Sequence, residues 1–231
     1  MAANPELVDR AAVFSDANAL VCADLHLGRA AAGRVEFPLG QLTALPERIE
    51  TLAERFEPET VVLAGDVLHS FDHVPRGVGD ALAAIEEAAS TVDADLRVVR
   101  GNHDTLLEEV YDGPVETSVR LDDGTVVCHG HERPDVDADR YVVGHDHPSI
   151  TIEGQQRPCL LSGPRPTTSG TVFVLPAFTP LAAGMTVNGA SGDEFQSPLV
   201  GDVGRFRPAV SDPETDETLW FPPLAEFRQL L

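Results

Sequence analysis

Six of the eight histidines in this chain fall within four short motifs, and a fifth motif adds a carboxylate between them. In chain order the five are Asp24-Leu25-His26, Gly65-Asp66, Gly101-Asn102-His103-Asp104, His129-Gly130-His131 and Gly144-His145-Asp146-His147. Carboxylate, amide and imidazole donors of this kind are the inventory of a two-metal site. They are scattered over more than half the chain, so they converge only in a fold that gathers several strand ends at one place.

The intervening sequence predicts such a fold. Ala19 to Ala23 is a short apolar run, read as a buried strand ending at Asp24. Pro38 to Phe56 carries Leu42, Leu45, Ile49, Leu52 and Phe56 at spacings of three or four, an amphipathic helix. Val61 to Ala64 is a second strand ending at Gly65-Asp66, Gly77 to Ala89 a second helix, and Leu96 to Val99 a third strand ending at Arg100-Gly101-Asn102. A parallel βαβαβ unit puts chemistry at the carboxyl ends of its strands, where the loops open into one crevice. Beyond residue 112 the pattern changes to short strands: Val115 to Leu121, a tight turn at Asp122-Asp123-Gly124, then Thr125 to Cys128, Tyr141 to Val143, Ser149 to Glu153, Arg157 to Leu161 and Thr171 to Leu175. The expected architecture is an α/β/β/α sandwich of four layers, with two mixed β-sheets and the metal site at strand carboxyl ends. One domain over residues 1–231 is expected. Residues 186–218 read as loops with an edge strand at Pro198 to Val200, and the apolar end, Leu219 to Leu231, reads as docking back.

Composition limits the setting. No apolar run approaches the roughly 20 residues of a membrane span, and the first residues lack the basic flank and apolar stretch of a signal peptide, so a cytoplasmic protein without membrane contact is expected. Cys22, Cys128 and Cys159 lie in apolar runs and read as small core residues. The net charge is −22, and all 16 basic residues are Arg. Such a surface reads as halophilic adaptation, since at 1 M salt the Debye length shrinks to about 3 Å and the carboxylates serve hydration. It excludes a broad basic patch for nucleic acid, although a local cluster can still act.

The five motifs in this order resemble the calcineurin-like metallophosphoesterase superfamily. Ala23-Asp24-Leu25-His26-Leu27-Gly28-Arg29-Ala30, Gly144 to Pro148, Arg157-Pro158-Cys159-Leu160 and Leu175-Pro176-Ala177-Phe178 further resemble its branch of DNA-ligase-associated predicted phosphoesterases, over roughly residues 8–188. The resemblance implies that Asp24, His26 and His147 hold one metal, that Asn102, His129 and His145 hold the other, and that Asp66 bridges them. Two metals about 3.5 to 4 Å apart lower the pKa of a bridging water and stabilise the phosphoryl oxygens. An all-nitrogen-and-oxygen set suits two divalent transition metals, Mn first, with Fe, Ni, Co or Zn as alternatives.

The resemblance also implies roles nearby. His103 is the expected general acid, with Asp104 available to orient it; capping of a short helix over Thr105 to Val110 is the competing reading of His103. The superfamily pattern puts the metal on His129 and leaves His131 as a neighbouring or substrate contact, and the residues alone leave the reverse open. His69, three residues after Asp66, resembles a feature of the nuclease branches and is expected either at the phosphodiester or as a polar residue closing the strand-to-loop transition, while the Asp-Arg pair of phosphoprotein phosphatases is missing. His73 reads as an exposed loop residue. Arg29 and Arg100, each beside a metal motif, are expected either to clamp phosphate oxygens or to pair with nearby carboxylates. The expected activity is phosphodiester hydrolysis by a metal-bridging hydroxide, on nucleic-acid ends or nucleotide-derived diesters, with a DNA-repair partner implied. A phosphomonoesterase or nucleotide pyrophosphatase is the alternative, and a non-catalytic metal-bound scaffold the remote one. No Walker loop, nucleophile elbow or calcium loop is present to suggest other chemistry.

Overall fold

The computed structural model describes residues 3–29, 39–166 and 169–228. The first sheet has six strands in sequence order: β1 (Glu6–Val8), β2 (Ala11–Phe14), β3 (Ala19–Cys22), β4 (Thr60–Ala64), β5 (Asp95–Val99) and β6 (Val115–Glu116). From β3 to β6 the pairing is parallel. Helices α1 (Leu39–Phe56) and α2 (Val78–Thr91) make the two crossovers. Pro38, the expected first helical residue, lies outside the described residues.

The second sheet has seven strands. Its members are β7 (Ser118–Arg120), β8 (Val126–Cys128), β9 (Arg140–Val143), β12 (Leu160–Pro164), β13 (Thr171–Val174), β15 (Arg207–Ser211) and β16 (Thr218–Trp220), in the order β16-β15-β12-β13-β9-β8-β7. The β8–β9 and β9–β13 pairs are parallel and the rest antiparallel, so the sheet is mixed. A small third sheet joins β10 (Pro148–Ile152), β11 (Gln155–Pro158) and β14 (Met185–Thr186).

Side-chain alternation sorts the strands into layers. Leu20, Cys22, Val61, Leu63 and Val98 point to α1 and α2, where Leu45, Ile49, Leu82 and Ile85 complete one core. Val21, Val62 and Val99 point the other way, against Val127, Val142, Phe173 and Leu160, and fill the space between the sheets. Val126, Tyr141, Val143, Val172 and Val174 face outward and meet Phe195, Leu199, Phe206, Leu224 and Phe227. Four layers therefore exist, but the described part of the outer one consists of loops, short 3₁₀ turns and the brief helix α3 (Leu224–Phe227). The three cysteines are buried and unpaired within these cores.

Several elements depart from the sequence-based expectation. The β1–β2 hairpin was not anticipated, because its turn residues Asp9 and Arg10 adopt positive φ (42° and 70°) without the Gly or Asn that announces such a turn. Val115 to Leu121 is not one strand: β6 ends the first sheet and β7 starts the second. Arg157 to Leu161 likewise divides at Cys159 between two sheets. Within the expected loop region, Arg207–Ser211 forms a strand between β12 and β16, recruited by burial of Ala209 and Val210 despite Pro208. Pro198 to Val200 forms a turn, closed by Val200 N–H donating to the Ser197 carbonyl, and no edge strand. The helix expected after His103 shrinks to a 3₁₀ turn at Leu107–Glu109.

Candidate metal centre

Every motif follows a strand, and the parallel register carries all of them to one end. Asp24 and His26 leave β3, Asp66 leaves β4, Asn102 and His103 leave β5, His129 leaves β8, and His145 and His147 leave β9. The loops are sewn together by backbone bonds: Asp24 N–H donates to the Gly65 carbonyl at 3.1 Å, His26 N–H to the Asp66 carbonyl at 2.9 Å and Gly144 N–H to the His129 carbonyl at 3.0 Å. Across the sheets, His145 N–H donates to Asp24 Oδ2 at 3.0 Å.

The backbone turns sharply to achieve this. Asp24, His26, Asp66, His145 and His147 all have φ between 45° and 70°, a left-handed region costly for residues with a Cβ. Five such residues at one site mark strain that the surrounding structure sustains for the sake of side-chain placement. The motif glycines belong to the same device. A Cβ on Gly101 would stand 2.1 Å from Asp66 N, and one on Gly144 2.5 Å from Asp24 Oδ2.

Donor atoms converge in two sets, Asp24 with His26 and His147, and Asp66 with His129 and His145, each with its atoms within 4.8 Å of one another. A third set, His26 with His69 and His103, adjoins the first. His129 shows why a cation fits here. Its Nδ1 faces the Ala64 carbonyl at 3.2 Å and so carries the proton, leaving Nε2 to point its lone pair at Asn102 Oδ1 (3.0 Å) and Asp66 Oδ1 (3.3 Å). Burial pushes this imidazole's pKa down to about 4, against the pull of Asp24, so the ring is neutral near pH 7. His129 Nε2 and the oxygens of Asn102 and Asp66 then face one another with at most the Asp66 proton between them, a place that a cation can take.

The remaining ionisations fit as well. Burial, against the pull of Asp24, pushes His26 down to about 3, leaving it a neutral donor. Burial tends to raise Asp24, but His147 at 3.3 Å, with His129 and His26, outweighs it and holds the carboxylate below its usual range. Burial and then the charge of Asp24 push Asp66 up to about 8.

Sequence comparison gives this arrangement a lineage. A family model described as calcineurin-like phosphoesterase matches residues 17–133. The chain belongs to this family. It is therefore a metal-dependent phosphoric ester hydrolase, and its His/Asp cluster is a centre for two divalent metals. Among solved structures, the Pseudomonas putida nuclease MPE is similar with a TM-score of 0.60 and 21% identity over 93% of both chains. The phosphoesterase Yfce from E. coli is similar with a TM-score of 0.48 and 16% identity, over 89% of this chain and 98% of that one. No curated protein sequence matches the chain.

Around the metal centre of this calcineurin-like phosphoesterase, one residue sits differently from expectation. Asp104 does not orient His103. Its buried carboxylate accepts Gly101 N–H and Leu68 N–H at 2.8 Å and Val67 N–H at 3.3 Å, tying the β4 loop to the β5 loop. His103 is oriented instead by the His69 carbonyl, 2.7 Å from Nδ1, which turns Nε2 toward Asp66 Oδ2 at 3.8 Å. Arg100 pairs with Glu108 at 2.5 Å and donates to the Asp104 carbonyl at 3.1 Å, the pairing alternative of the expectation. Arg29 lines a cleft of about 380 Å³ together with His26, Asp66, Asn102, His103 and His147. The ring of His131 lies 5.2 Å from that of His129 and 6.2 Å from that of His145, beside the set of Asp66, His129 and His145 but not in it. His73 is an exposed loop residue bonded to Asp72.

Sequence reasoning missed Asp146 as a tether. Its carboxylate accepts Gln196 N–H at 2.7 Å and Ser197 N–H at 3.3 Å, fixing the turn between His145 and His147 to a distant loop. The motif glycines were the signal available for close backbone approach; nothing local signals the Asp104 or Asp146 tethers. Asp104→Asn places an amide N–H₂ against backbone donors, and we expect a loss of about 1–3 kcal/mol in unfolding free energy together with reduced activity. Urea denaturation and turnover measured on the same preparation check this; unchanged values for both contradict the tether.

Proposed function

We propose that the chain hydrolyses phosphodiesters, on nucleic-acid ends or nucleotide-derived diesters, with two cations held as follows. Asp24, His26 and His147 hold one, Asn102, His129 and His145 hold the other, and Asp66 bridges them. When bound, such cations, Mn before Fe, Ni, Co or Zn, supply positive charge for the phosphoryl oxygens and acidify water. His103 Nε2 gives the proton that the departing alcohol needs, held in place through Nδ1 by the His69 carbonyl. Arg29 lines the cleft where a phosphate oxygen would lie, and His69 and His131 stand at its margins as substrate contacts.

The observation that carries the diester reading is that, besides the cleft, two further cavities are each lined in part by a proposed metal ligand. One of about 270 Å³ begins at His147 and runs past Ser149, Gln156 and Leu181. The other, of about 120 Å³, begins at His129 and His131. A diester has two substituents to place, a monoester one. The nuclease named among the similar folds supports the same reading. A net charge of −22 disfavours grip on a long duplex, which depends on many basic contacts, and favours ends and short strands. The charge also supports a halophilic cytoplasm as the working environment, where the DNA-repair partner suggested by the branch resemblance would be sought. Among the described residues no helix is long and apolar enough to cross a membrane.

The test compares bis-p-nitrophenyl phosphate with p-nitrophenyl phosphate in molar KCl with Mn. The diester is expected to be the better substrate, and a tenfold preference for the monoester overturns the reading. His103→Ala is expected to lower kcat by about 10²–10⁴-fold with metal content unchanged.

A further inference from the structure

We propose that Phe71 is a stacking platform for the nucleobase next to the scissile phosphate. This rests on the diester reading and adds to it the class of group that flanks the phosphate. Among the described residues Phe71 is the most exposed large hydrophobic side chain, at 52%. It stands at the metal centre, with its ring on that of His103 at 4.0 Å between centroids and 30° between planes. His103 in turn lines the cleft. One face of the phenyl ring is thus covered by the imidazole while half of the side chain stays open to solvent.

The platform is fixed before any ligand arrives. Thr105 Oγ1 donates to the Phe71 carbonyl at 2.7 Å, which holds the backbone of Phe71, and His103 Nδ1 donates to the His69 carbonyl at 2.7 Å, which holds the ring beneath it. His69 lies parallel to His103, at 14° between planes, and extends the stack. A pre-ordered aromatic loses little freedom on binding a base, and such stacking tolerates any base because each offers a π face. The charge of the chain makes this mode the fitting one. Phosphate contacts through basic residues weaken steeply with salt, whereas stacking of two neutral rings is not an ionic contact, and this chain has few cations and many carboxylates.

The experiment uses short single-stranded oligonucleotides that carry either a base or an abasic tetrahydrofuran next to the cleavage point. For Phe71→Ala, KM on the base-bearing strand is expected to rise about 5- to 100-fold and KM on the abasic strand to stay at the wild-type value. Phe71→Trp is expected to restore the base-bearing KM. An equal loss on both strands overturns the platform, because Phe71 then acts only by holding His103; so does the absence of any effect. If the wild type cleaves no oligonucleotide, the diester reading fails separately, and the fluorescence of Phe71→Trp, corrected for Trp220 with wild-type protein, decides the platform. Quenching by adenosine monophosphate but not by ribose 5-phosphate upholds it, and no difference between the two overturns it.

Discussion

Asp66→Asn is expected to lower phosphoester hydrolysis by at least about 10²–10³-fold, and yet to make the metal-free protein more stable at pH 8. The activity loss follows from the proposed bridging position, since the amide removes the charge that two cations share. The stability gain follows from burial. Asp66 is 2% exposed, and burial together with the charge of Asp24 pushes its pKa up to about 8. The folded protein therefore holds this proton over a range where the unfolded chain, with a pKa near the ordinary aspartate value of about 3.9, has lost it. The stability from this group is complete below about pH 4 and is lost progressively as pH rises to about 8. The amide does not titrate, so the metal-free variant escapes that loss. A few kcal/mol at pH 8 corresponds to roughly 5–10 °C in melting temperature for a chain of this size. Metal reverses the order, because it binds the deprotonated carboxylate; the affinity of the wild type for Mn should rise with pH and level off above about 8. Melting curves in EDTA and in Mn at pH 5, 7 and 9 check all of this. Superimposed metal-free curves for the two proteins at pH 8 would sink the account.

Among the described glycines, Gly101→Ala is expected to be the most damaging single-methyl change, and Gly79→Ala a mildly beneficial one. A Cβ on Gly101 would lie 2.1 Å from Asp66 N, 2.2 Å from Asp66 Oδ1 and 2.8 Å from Asp66 Cα. Most of these neighbours are backbone, so no side-chain rotation relieves the contact, and the loops after β4 and β5 must move apart. A displacement of about 1 Å at a reacting centre can cost on the order of 10²-fold in rate, and overpacking of this kind about 1–3 kcal/mol in stability. Gly79 lies in α2 with no atom within 4 Å of its would-be Cβ. Its replacement should stabilise by about 0.5–1 kcal/mol and leave kcat/KM unchanged. Equal melting temperatures for Gly101→Ala and wild type would show that the close approach does not constrain the site.

These two predictions also separate what could be read from the chain alone from what could not. The strand–helix alternation over residues 19–99 was legible because each element buries one side or is buried on both, and such patterns repeat locally. So was the position of each donor, since the motifs directly follow the apolar runs. The β1–β2 hairpin was not legible, because Asp9 and Arg10 turn the chain with the torsions usually supplied by Gly and Asn. Neither was β15, whose Pro208 reads as a breaker and whose strand exists because β12 and β16 stand ready on both sides. Asp104 misled for a related reason: adjacency to His103 suggested a contact between them, while its partners Val67 and Leu68 lie 37 and 36 residues away.

By itself, then, the sequence determined the chemistry on offer: imidazole nitrogen and oxygen donors, no thiolate among them, one set at each of several strand ends, on a surface too acidic for broad electrostatic grip on nucleic acid. The tertiary structure decided how those donors group. It set Asp24 against the backbone of His145 across 121 residues, turned His129 and not His131 toward Asp66, held His103 by a carbonyl, and laid Phe71 over it at the rim of the cleft. Periodicity is a local property of a few turns or strands, whereas these contacts depend on sheet register and on loops held in strained left-handed geometry, and both come from packing between segments far apart in the chain.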